Sequence, residues 1–194
     1  MKDLRILFFW LLAFEALAHY VASKSPVNGP RIAVAGCYLM WSGFLLAVSF
    51  TEAWVKFTSK LVERQVGLDI GRRVFDALNS LEIAACVTAL TILVRHEPYE
   101  DSLYALPIVL TIILLLQVLY LTPKLDLRAI HIACDELSKK KHASKKEEEV
   151  YKEYKALTTL RPIPSSKLHH LYVLLEVVKV GLLWKASERV LFPA

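Results

Sequence analysis

The sequence predicts an all-α fold: a polytopic membrane bundle of four to five transmembrane helices plus one charged amphipathic helix in a loop. Three observations carry that prediction. The 194-residue chain is 55% hydrophobic, with a mean hydropathy of +0.41, above the roughly 45–50% apolar usage of soluble domains. Five apolar segments reach the about 17–25 residues needed to cross about 30 Å of hydrocarbon, at approximately 4–22, 32–55, 74–94, 103–122 and 169–187. The excess positive charge, +5 overall, gathers in particular loops between these segments. That placement follows the positive-inside rule rather than a nucleic-acid-binding face, so the expected partner is the lipid bilayer.

The first segment follows "MKDLR" with "ILFFWLLAF" and then Ala16, Leu17 and Ala18. This is the order of a signal peptide as well as of a first span. Asp3 argues against an acidic-poor organelle presequence. Within the segment, Glu15 and His19 are spaced i, i+4 on one helical face. Such a pair can ligate a metal, but no H-E-x-x-H or E-x-x-H spacing accompanies it, and no metal site is expected. Pro26 and "NGP" at 28–30 then break the chain.

The second segment has no charge from Ile32 through Thr51. Tyr38, Ser42, Ser49, Glu52 and Lys56 fall at offsets 0, 4, 11, 14 and 18, a polar stripe along one face. Gly36 and Gly43 form a separate small-residue strip where a neighbouring helix is expected to come close. Glu52 and Lys56 read as an i, i+4 pair at the inner interface.

"TSKLVERQVGLDIGRR" follows as a basic loop with an interfacial helical turn before Gly71. In the third segment, Asp76, Asn79 and Glu82 are spaced by three, with Cys86 four later. At about 1.5 Å per residue, Glu82 lies roughly 13–15 Å beyond Arg72 and Arg73. Its short side chain does not reach water from there and must face the bundle, either bonded to a neighbouring helix or as a proton or cation site.

"HEPYED" at 96–101 is turn chemistry, and the fourth segment is uncharged from Ser102 through Pro123. The longest loop runs from Pro123 to Lys167. It contains "ELSKKKHASKKEEEVYKEYKAL", too charged for a core and expected to form a solvated helix with mixed charge signs. The fifth segment carries His169, Tyr172, Glu176 and Lys179 at offsets 0, 3, 7 and 10. That stripe points inward, with Glu176 paired to Lys179 at i, i+3 or either residue paired to another span, Lys179 to Glu82 or Glu52.

Counting charges by side, Lys2, Arg5, Lys60, Arg64, Arg72, Arg73 and the lysines between 139 and 155 share one face. Lys24, Arg31, Arg95, Lys185 and Arg189 occupy the other. Five crossings with the N-terminus and the long loop on the cytosolic face satisfy this bias; four remain if the first segment is cleaved or the fifth lies in the interface. Cys37, Cys86 and Cys134 show neither a disulfide framework nor zinc spacing. No nucleophile constellation, Walker loop or dinucleotide glycine motif is present, so no catalytic residue and no cofactor is assigned.

Four stretches carry a family resemblance: "WSGFLLAVSFTEAWVKF", "GLDIGRRVFDALNSLE", "QVLYLTPKLDLRA" and "LHHLYVLLEVVK". Together they resemble small bacterial membrane proteins and, more distantly, the four-span family that includes transmembrane protein 205. The resemblance covers most of residues 32–185. It implies an antiparallel bundle in which Glu52, Asp76, Glu82, Gln117, Asp126, Arg128, His169, His170, Tyr172, Glu176 and Lys179 share one internal network. The charged insertion around 136–158 departs from that pattern and reads as a docking element for a protein partner. Three functions are expected in descending order: a non-enzymatic accessory, scaffold or assembly subunit; a small proton or cation transporter using Glu52, Glu82 and Glu176; and a membrane enzyme acting on lipid or quinone through His169, His170 and Tyr172.

Overall fold

Amphipathic periodicity alone builds this molecule: in the computed structural model, which describes residues 4–25, 28–96, 103–140 and 144–192, the ordered elements are helices. They are α1 (Leu4–Lys24), α2 (Gly29–Thr58), α3 (Arg64–His96), α4 (Ala105–Ser138), α5 (Lys145–Thr158) and α6 (Lys167–Leu191). No strand occurs among the described residues. The first four are long and apolar enough to cross a membrane. The α6 helix has the length but carries charges. The turn expected at 96–101 lies, apart from His96, outside the described residues.

Two helices contain a wide π turn. In α2 it spans Val48–Glu52, where the Ala53 N–H bonds to the Val48 carbonyl five residues back. In α4 it spans Gln117–Leu121, with the Thr122 N–H bonded to Gln117. The second explains why Pro123 does not end the helix. A proline ring normally collides with the carbonyl four residues earlier, and a widened turn moves that carbonyl aside. The loop expected from Pro123 is therefore helical through Ser138. Likewise the basic stretch before Gly71 is the first part of α3, and Gly71 lies within the helix.

The centre of the bundle is formed by α2, α3 and α6, with α1 resting on α2 and α3 and α4 closing the far side. The small residues that permit close approach are on α3 and α6. Ala84, Ala85 and Ala89 are fully buried and Ala186 nearly so, which lets helix backbones approach through their shortest side chains. The expected strip on α2 has no such role. A Cβ added at Gly36 or Gly43 would meet nothing within 4 Å, because both face away from the neighbouring helices. Gly29 is the close contact instead. A Cβ there would run into the Ala22 carbonyl, so glycine permits the tight turn from α1 into α2.

The outside of the bundle is apolar. Phe8 and Leu12 on α1, Ile112, Leu115 and Leu119 on α4, and Leu174, Val177 and Val178 on α6 are all exposed. Apolar surface this extensive is not left to water. Over the first half of α6 the pattern is inverted relative to a soluble helix: Leu171, Leu174, Val177 and Val178 face out, while Glu176 and Lys179 are buried.

Candidate functional site

Three ionisable side chains meet at the centre. Glu82 of α3, Glu176 and Lys179 of α6 are 0%, 1% and 0% exposed. Lys179 sits between the carboxylates, bonded to Glu82 and 2.9 Å from Glu176 Oε1. Both pairings anticipated for Lys179 thus exist together. Helical spacing on α6 supplies one, and the packing of α3 and α6 against the same helix, α2, supplies the other.

The remaining donors come from the other helices. Trp41 Nε1 of α2 donates to Glu82 Oε1 at 2.7 Å. Gln117 Nε2 of α4 donates to Glu176 Oε1 at 2.7 Å, and Ser49 Oγ of α2 to Glu176 Oε2 at 2.8 Å. Ser49 and Gln117 lie in the two π turns. Each turn inserts one residue per helical cycle and so rotates the polar side chain towards Glu176, off the ordinary helical stripe. Nearby, Asn79 Nδ2 donates to Thr122 Oγ1 at 3.2 Å, adding an α3–α4 bond.

This cluster is not saturated. Glu82 Oε2, Gln117 Oε1 and Asn79 Oδ1 are buried with no hydrogen-bond partner among the described residues. Tyr172 packs edge-on against Phe75 with ring centroids 5.7 Å apart.

The other anticipated residues lie elsewhere. Glu52 and Lys56 pair with each other at 3.1 Å, partly exposed, and Lys56 Nζ rests where a Cβ at Gly71 would stand. Asp76 lines a surface cavity of about 760 Å³ with Arg72, Arg73, Lys146 and Glu153. His169 and His170 are exposed on the first turn of α6, their ring centroids 6.2 Å apart. They do not share an environment with the buried Tyr172. Arg128 donates to the Pro164 carbonyl at 2.6 Å. Glu15 and His19 form a partly exposed pair at 3.1 Å. Among the described residues no group of three or more His, Cys, Asp or Glu side chains is arranged to hold a metal.

A second network ties the charged helix down. Arg72 of α3 forks onto Asp126 of α4, with Nε–Oδ1 at 2.5 Å and the second nitrogen 3.2 Å from Oδ2. Its other terminal nitrogen reaches the Tyr154 hydroxyl of α5 at 3.0 Å and Asp69 at 3.4 Å. Tyr154 in turn donates to Asp69 Oδ1 at 2.9 Å. Burial, and next the bond to Asp69, raise the Tyr154 hydroxyl above its usual pKa, so it stays a donor. Beneath it, Tyr154 and Val150 pack on Ile130 and Ala133 of α4. The start of α5 is fixed by a capping box between Ser144 and Glu147, and Lys140 bonds Glu147 at 2.6 Å. Those bonds, Lys140 first, hold the Glu147 carboxyl down to about 2.

Trp41 and Tyr154 are the site residues that sequence reasoning passes over. The signal for Trp41 is an indole N–H inside a charge-free span, a donor that burial obliges to find an acceptor. For Tyr154 it is the spacing with Val150, two apolar residues one turn apart in an otherwise charged helix. No family model, no curated relative and no solved structure matches this chain.

Proposed function

We propose that this chain is a non-enzymatic integral membrane protein, an accessory or assembly subunit whose central Glu82–Lys179–Glu176 network fixes how α2, α3, α4 and α6 pack. The observation that supports it most is closure. Every charged group at the centre is bonded to a charged or polar partner on another helix. In hydrocarbon such bonds specify which helices meet, since apolar contacts with lipid and with protein are alike.

The lengths of α3 and α4 fit this role. At 33 and 34 residues, each is about 50 Å long, well beyond about 30 Å of hydrocarbon. Their ends at residues 64–76 and 126–138 extend out of the bilayer together, on the face that carries Arg64, Arg72 and Arg73, the side the positive-inside rule assigns to the cytosol. There they join α5 into a three-helix platform held by Arg72, Asp126 and Tyr154. Lys145, Glu148, Glu149, Lys152 and Lys155 are left exposed on α5 for a protein partner of mixed charge.

The test is site-specific photo-crosslinking from exposed α5 positions in native membranes, repeated after changing Lys145, Lys152 and Lys155 to serine. A specific adduct lost in the triple variant, with membrane insertion intact, is expected. No adduct at any α5 position would overturn the docking role.

A second reading is favoured by the three unpartnered atoms around the triad and by the two π turns that meet there. It is a small proton or cation transporter, in which buried carboxylates form part of a relay. Proton and cation flux in proteoliposomes decides between the two. Flux above empty vesicles that falls in Glu82→Gln favours transport, and flux equal to empty vesicles favours the architectural reading.

A further inference from the structure

The charges at the bundle centre do not balance. Fully ionised, Glu82, Glu176 and Lys179 carry two negative charges and one positive, in a site where none is more than 1% exposed. Among the described residues, the helices around them supply no second cation to the triad. Trp41 and Ser49 approach from α2, Asn79 from α3, Gln117 from α4 and Tyr172 from α6. Lys56 is engaged by Glu52, and Glu15 of α1 by His19. A net charge in so desolvated a place is strongly disfavoured, and carboxyl groups there shed it by taking up a proton.

The donors show which carboxyl does so. Glu176 accepts on both oxygens, from Lys179 at 2.9 Å and Gln117 at 2.7 Å on Oε1 and from Ser49 at 2.8 Å on Oε2. Three donors are what an ionised carboxylate requires. Glu82 accepts Lys179 and Trp41 on the same oxygen, Oε1, while its Oε2 is buried without a donor. One accepting oxygen and one bare oxygen is the arrangement of a carboxylic acid.

We infer that Glu82 holds one exchangeable proton on Oε2, making the triad a buried proton-binding site that is neutral when loaded and singly negative when empty. The proton comes from solvent and returns to it, and no other bond is made or broken. Two further buried oxygens without a donor belong to the helices that meet at the triad, Asn79 Oδ1 one turn back on α3 and Gln117 Oε1 on the α4 side chain that bonds Glu176. A network selected for packing alone has no use for the odd carboxylate, so this goes beyond the architectural role.

Infrared spectra of the purified protein in lipid nanodiscs, recorded at neutral pH in H2O and D2O, test the inference. The expected result is a carbonyl stretch of a protonated carboxyl that shifts on deuteration, is absent in Glu82→Gln and persists in Glu52→Gln. Glu176→Gln also removes it, because Glu82 and Lys179 then balance as ions. Should Glu82→Gln fail to fold, Glu176→Gln decides in its place. A wild-type spectrum without the band overturns the inference, as does a band that survives whichever of these two variants folds. Either result leaves the accessory-subunit reading standing, since that reading is tested at α5.

Discussion

The two ionic networks of this protein use the same side-chain chemistry in opposite surroundings. At the centre, Lys179, Glu82 and Glu176 are sealed from solvent. At the platform, the Arg72 side chain is 14% exposed, Asp126 22% and Asp69 38%. Water near the platform solvates any charge that loses its partner. Packed side chains at the centre cannot. The difference teaches that bond geometry, similar in the two places, does not rank them; the penalty for breaking a bond does, and it follows burial.

The sharpest way to break the comparison is Lys179→Met. The substitution preserves the apolar stem and removes the ammonium that both carboxylates face. A buried charge left without its partner costs about 3–5 kcal/mol, so loss of the folded bundle in thermal denaturation in detergent is expected at neutral pH. The double variant Glu176→Gln with Lys179→Met should recover part of that loss, because the carboxylate left without its cation is gone. If Lys179→Met melts like wild type, the sealed network is not what holds α3 to α6.

Arg72→Ala makes the parallel cut at the platform. It leaves Asp126 and the Tyr154 hydroxyl short of a donor, at about 1–3 kcal/mol for a partly buried group. The loss should be local: faster proteolysis and amide exchange in α5, with the midpoint of bundle unfolding little changed. Tyr154→Phe removes one hydroxyl that both donates and accepts, and should cost about 1 kcal/mol in the same readout. Equal global destabilisation by Arg72→Ala and Lys179→Met would erase the distinction between the two networks.

How much of this was legible in the sequence depends on range. The apolar segments and the inward stripe on α6 were legible because hydrophobic period and helical offset are local quantities. So was the inward turn of Glu82, because depth along a helix is a count of residues. That Lys179 bridges Glu82 and Glu176 was legible only as a choice among partners, since residues 97 apart meet through packing that no spacing encodes. The π turns were not legible at all. Nothing in "VSFTE" or "QVLYL" marks an i+5 bond, yet Ser49 and Gln117, which bond Glu176, both lie within these turns. Pro123 misled in the usual direction, towards a helix end, because the widened turn that accommodates it is a tertiary outcome. Gly36 and Gly43 show the limit of composition: a small-residue strip predicts close approach only if a helix lies opposite, and here the helices face the alanines of α3 instead.

The smallest effect expected is at the edge of the platform, and it separates the networks by pH. Glu147 caps the start of α5 and accepts from Lys140, and its carboxyl is held down to about 2 from an ordinary value of 4.5. A group whose folded value is depressed contributes stability that is present above its unfolded value and lost as pH falls through the folded one. The first turn of α5 should therefore loosen progressively between about pH 4.5 and about pH 2. Glu147→Gln should remove that part of the pH dependence, since the amide oxygen can still accept but no longer titrates. Amide exchange at residues 145–150, followed across this range in both proteins, is the measurement. Because Glu147 is at the surface, the change should stay within α5, and identical pH profiles for the two proteins would show that Lys140 and the cap do not hold this helix end.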